Sequence, residues 1–127
     1  MNGNLFLRTS AVFLCIGIGM GVYMGATHEF LQRPTHAHLN LVGGVLMFLA
    51  GLFYNAHPQV SKRLTTIHYI LALVGLAFFI PGVYGAQINA PWFGPVIGIG
   101  SILTAAQILM FTVLVFVATG KKPMPAE

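Results

Sequence analysis

Four long apolar runs, very little charge and a single cysteine predict an all-α membrane protein, a four-transmembrane-helix bundle. Of the 127 residues, 57% are hydrophobic and 6% charged, whereas an ordinary soluble domain carries about 25% charge. Each run supplies the roughly 20 residues that a helix needs to cross a bilayer. Cys15 stands alone, which excludes an internal disulfide framework and a thiolate zinc cluster. The net charge is +4. Its cations lie at the edges of apolar runs, so they read as membrane topology and not as a nucleic-acid surface.

The first helix is predicted over residues 5–27. Arg8 falls near its start, where a long side chain can snorkel to the interface. The run is longer than a signal-peptide core and no A-x-A-like site follows it, so it reads as a retained helix. Gly17, Gly21 and Gly25 recur at intervals of four and share one face, which inward reaches Ser10 and outward His28. Such a row reads as a helix-packing seam, and it predicts that His28 ends a packed face.

The second helix is predicted over residues 34–56, with Pro34 in its first turn, where a missing N–H needs no partner. His36, Asn40, Gly43, Met47, Gly51 and Tyr54 form one stripe at about 100° per residue. Leu41, Val45, Leu49, Leu52 and Phe53 form the opposite, greasy side. The third helix, residues 64–85, lines up His68, Ala72, Gly75, Phe79 and Gly82. The fourth, residues 92–119, lines up Gly94, Gly98, Ser101, Ala105 and Thr112 as its expected close-packing face. Loops are short, no internal repeat is evident, and the tail "KKPMPAE" reads as polar and loose. Residues 1–127 therefore read as one domain with antiparallel neighbours.

Arg8, Lys62, Arg63, Lys121 and Lys122 fall on one side of a four-span chain, and the opposite side carries Arg33. The excess of Lys and Arg predicts cytoplasmic termini, with the loops around Glu29 and Gln87 facing out. In a bacterium this places the chain in the inner membrane. His28, His36 and His38 then belong to the outer side and His57 and His68 to the cytoplasmic side, about 30 Å away.

His36 and His38, two residues apart, project about 200° apart from a regular helix. They cannot chelate one metal together, as a pair four apart does. They address two spaces, one on each flank of the helix. Any one interfacial histidine can simply be hydrated. Three of them with Asn40 one turn further in mark a functional site, because ionisable groups within spans are costly. His57, followed by Pro58, reads as a loop residue. His68, on the small face of the third helix, reads as a structural histidine bonded to a neighbouring helix.

The stretch "THAHLNLVGGVLMFLAGLFYNAHP" resembles the second-helix region of small four-helix membrane proteins similar to subunit I of haem–copper oxidases and nitric oxide reductases. The matching core is H-A-H-L-N-L-x-G with G-L-x-Y at the inner end, specific over residues 28–58, with "ATHEF" and "IHY" as outlying matches. Gly44 departs from the tryptophan of that group and leaves room beside the helix. The large oxidase subunit arranges twelve helices in three arcs of four, and one of its helices carries an H-x-H serving two haems. The resemblance implies one third of that architecture completed as a homotrimer, in which His36 of one copy faces His38 of the next across a b-type haem. It further implies Arg33 near the haem propionates, although pairing of Arg33 with Glu29 is an equal reading. His28 is implied as a propionate or supporting contact, or as a copper ligand. No C-x-x-C-H is present, so covalent haem attachment is excluded.

These readings make haem b the expected cofactor, with copper as a further candidate, and electron transfer or haem and gas sensing the expected role. The lipid bilayer, a second and third copy and an unidentified redox partner are the expected partners. A proton-pumping oxidase is disfavoured: no complete copper-site histidine set is present, and Glu29 and Glu127 are the only carboxylate side chains. Two alternatives stand beside this reading: a copper or zinc binder using His28, His36 and His38 with Met24 or Met47, and a structural subunit of a larger complex.

Overall fold

The computed structural model describes residues 1–120; Lys121, Lys122, Glu127 and the rest of the tail lie outside them. Four helices carry the chain: α1 over Asn4–Thr27, α2 over Arg33–Ala56, α3 over Lys62–Gln87 and α4 over Phe93–Thr119. All four are long and apolar enough to cross a membrane. These bounds differ from the sequence-read spans by no more than two residues at any end.

Two ends of the bundle can be told apart. At the terminus end, Gly3 N–H donates to Asn55 Oδ1 at 2.9 Å and Asn55 Nδ2 donates to Asn4 Oδ1 at 2.7 Å. These bonds tie the start of α1 to the last turn of α2. At the other end, the H-x-H end, α1 stops at His28, which takes a left-handed conformation with φ 56°. Asn89 does the same with φ 51° in the turn after α3.

The core lies in the terminus half. Phe6 of α1 is fully buried and meets Tyr54, His68 and Tyr69 at ring-centroid distances of 5.3, 5.2 and 5.1 Å. Thr9 and Tyr69 hydroxyls share a hydrogen bond at 2.6 Å. Phe111 of α4 stacks on His68 at 5.3 Å and meets Phe53 edge-on. The small-and-polar stripe of α2 faces inward here, with Gly43, Met47, Gly51 and Tyr54 buried, while Leu41, Val45, Leu49 and Leu52 are exposed. On α3, His68, Ala72, Gly75 and Gly82 are likewise buried.

The fourth helix departs from expectation. Gly94, Gly98, Ser101, Ala105 and Thr112 are exposed, and a Cβ at Gly94 or Gly98 would meet nothing within 4 Å. The buried face is Gly100, Thr104, Gln107, Leu114 and Ala118. A Cβ on Gly100 would lie 2.7 Å from the backbone carbon of Phe78, so this glycine is what lets α4 close on α3. Small residues surround α4 on several sides, and the bond from Gln107 to His68 selects which of them faces inward.

Helix α2 also departs from regular geometry. Residues Leu39–Leu46 form a π-helix between α-helical ends. π-helical turns are rare, occur mostly as single turns inside α-helices, and often sit at functional sites. Gly43 and Gly44 lie within it. A Cβ at Gly43 would stand 3.1 Å from Phe13 Cγ, and one at Gly44 would stand 2.8 Å from Leu14 Cγ. The room expected beside Gly44 is therefore filled by Leu14 of α1.

Candidate functional site: the H-x-H end of α2

Pro34 opens α2 and the next turn presents His36 and His38, both half-buried. The rings turn to different neighbours. His36 leans on α1: its Nδ1 donates to the Gly17 carbonyl at 2.8 Å, and a Cβ on Gly21 would come to 3.0 Å from its Cε1. His38 turns toward α3, edge-on to Phe79 with centroids 5.2 Å apart. Its Nδ1 donates to the Pro34 carbonyl at 2.7 Å, one turn back on its own helix.

These two bonds fix chemistry as well as position. A carbonyl can only accept, so in each neutral ring the proton sits on Nδ1 and Nε2 holds a lone pair. An imidazole whose Nδ1–H is anchored on an oxygen has its ring orientation fixed, as metal-ligating histidines usually do.

Asn40 shares the seam. Its Nδ2 lies 3.3 Å from His36 Nδ1 and 3.4 Å from Nε2, while its Oδ1 is buried without a hydrogen-bond partner. A Cβ on Gly17 would run into that amide, as its Cγ would be 2.6 Å away. The glycine row on α1 is thus more than a site of backbone approach: Gly17 and Gly21 admit the polar side chains of α2. The row ends there. Gly25 meets nothing within 4 Å and His28 is exposed, 6.4 Å from Phe30. The expectation of a packed face reaching His28 fails: the row already faces open space at Gly25, and α1 ends at His28 in a left-handed conformation.

Arg33 turns to Phe30. Its guanidinium lies 5.2 Å from the ring centroid and its Nε donates to the Phe30 carbonyl at 3.3 Å. His57 also donates from Nδ1 to a carbonyl, that of Phe53, at 3.0 Å, and stacks on the Phe53 ring at 4.3 Å. It stands at the terminus end, far along α2 from the H-x-H.

His68 differs from all of these. Tyr54 of α2 donates its hydroxyl to Nδ1 at 2.7 Å, and Nε2–H donates to Gln107 Oε1 of α4 at 2.8 Å. Both ring nitrogens are used, and the residue is 1% exposed. Two neighbouring helices, not the one expected, hold His68. Tyr54 was legible as part of the α2 stripe. Gln107 was not singled out, although a lone amide inside an apolar run is a signal that it needs a buried partner.

Among the described residues, no three or more His, Cys, Asp or Glu side chains converge to hold a metal ion. His28, His36 and His38 do not form such a group. No protein family, no curated protein and no solved structure matches the chain. The likeness to oxidase subunit I rests on the quoted motif alone.

Proposed function

We propose that the chain is an integral-membrane b-type haem protein, with iron held by His36 of one copy and His38 of the next, serving electron transfer. The observation that carries this reading is the pair of anchored imidazoles. Each has its Nδ1–H on a backbone carbonyl and the two leave α2 toward different neighbours; the Nε2 of His38 keeps its lone pair, and that of His36 has the Asn40 amide beside it at 3.4 Å. Neutral, oriented imidazoles are the donor set that haem iron takes. The residues therefore fit the group.

Haem b held by these two imidazoles would supply one-electron redox chemistry. The Gly17 and Pro34 carbonyls hold the ligand tautomer. Phe79 limits rotation of the His38 ring, and Gly21 gives the His36 ring its space. Arg33 and His28 are the polar groups at this end suited to carboxylates such as haem propionates. Because His36 and His38 diverge within one chain, one iron needs ligands from two copies, and the resemblance to one third of a twelve-helix core implies that the copies form a homotrimer. The excess of Lys and Arg at the terminus end supports cytoplasmic termini and an outward H-x-H end.

The visible spectrum of detergent-purified protein tests this. A sharp Soret band with split α and β bands on reduction is expected, and is lost or altered in His36→Ala and in His38→Ala. A wild-type spectrum in both variants contradicts the ligand assignment. Crosslinking to trimers is expected, and a monomer that retains bis-imidazole haem contradicts the shared site.

A further inference from the structure

A second feature at the H-x-H end owes nothing to the histidines. At the terminus end α1 touches α3 through Phe6, Thr9 and Tyr69. At the other end a cavity of about 770 Å³ lies between the same two helices and the loop after α1. That volume falls within the about 300–1,000 Å³ of pockets that take small organic molecules.

Met20 and Met24 of α1 give the cavity an apolar, adaptable wall. Tyr23 of α1 and Tyr84 of α3 both line it. Gln32 and Glu29 come from the loop and the turn that opens α2. Among the described residues that line it, Glu29 alone is charged. The nearby cation, Arg33, is not in the lining and is engaged on Phe30. A carboxylate with two phenol rings is the chemistry that recognises an ammonium group, by ion pairing and by attraction to the ring faces.

The rim sets the source of that ammonium. Tyr23 and Tyr84 are 65% and 44% exposed on helices of membrane-spanning length, so a molecule enters from the side, out of the bilayer. The polar loop residues lie where the apolar helices end, at the depth of lipid headgroups. We propose that this cleft binds a membrane lipid with an ammonium headgroup, its cation at Glu29 beside Tyr23 and Tyr84 and its apolar part against Met20 and Met24.

The test is native mass spectrometry of the full chain released from vesicles of equal phosphatidylethanolamine and phosphatidylglycerol. About tenfold preferential retention of phosphatidylethanolamine is expected, the ratio that corresponds to about 1.4 kcal/mol. Glu29→Gln brings retention down to the phosphatidylglycerol level, and Tyr84→Leu lowers it partway, with helix content by circular dichroism unchanged. Dodecyltrimethylammonium, which has no phosphate, displaces the bound lipid. Equal retention of both lipids, unchanged retention in Glu29→Gln, or displacement by dodecyl phosphate in place of the ammonium detergent overturns the proposal. None of these readouts depends on haem.

Discussion

The two ends of the bundle present histidines under opposite conditions. In the terminus half, Tyr54 and Gln107 consume both nitrogens of a His68 that solvent does not reach. At the H-x-H end, His36 and His38 each commit one nitrogen to a carbonyl and stay half-buried, next to an Asn40 oxygen that has no partner. A histidine bonded at both nitrogens joins helices. One anchored at Nδ1 on a carbonyl, as His38 is, leaves its other nitrogen available. His57 at the terminus end shares that anchor but stacks its ring on Phe53, so the contrast is between the fully bonded His68 and the H-x-H pair.

The largest expected effect breaks the joined end. His68→Ala leaves a cavity and strands the Tyr54 hydroxyl and the Gln107 amide, a loss of about 3 kcal/mol in reversible unfolding in mixed micelles. The haem content of the protein that remains folded is unchanged. Tyr54→Phe removes one of the two bonds and costs about 1 kcal/mol by the same measurement.

Gly17→Val sharpens the comparison from the other side. Its side chain takes the space of the Asn40 amide and pushes on the His36 seam, which costs about 1–3 kcal/mol. Unlike His68→Ala, it also shifts the absorption spectrum, because the carbonyl that anchors His36 belongs to the same residue. The smallest effect concerns α4. Gly98→Ala is expected to fall within about 0.5 kcal/mol of wild type, since nothing lies near that Cβ. Gly100→Ala meets the backbone of α3 and costs about 1–3 kcal/mol. A larger loss in Gly98→Ala than in Gly100→Ala would mean that the other face of α4 is the packed one.

The four helices and their ends were legible because hydropathy, Pro34 and the loop residues act locally. The inward stripes of α2 and α3 were legible for the same reason, as period and residue size agree there. The α4 face was not: its small residues form more than one stripe, and only the distant His68 distinguishes them. The π-helical stretch was not legible either. The fit of Phe13 and Leu14 against Gly43 and Gly44 depends on α1, which the local sequence of α2 does not contain. At the site, the divergence of His36 and His38 could be read from spacing. The carbonyl partner of His36 could not, because it lies 19 residues away on another helix.

The most direct test of the contrast between the two ends is the number of haems per folded chain, measured side by side in the wild type, His38→Ala and His68→Gln, each purified from haem-replete cells. The account predicts haem in the wild type and in His68→Gln, at equal content, and its loss in His38→Ala. A wild type without haem, or a His38→Ala protein that keeps its full complement while His68→Gln loses it, would contradict the assignment of ligand and joint.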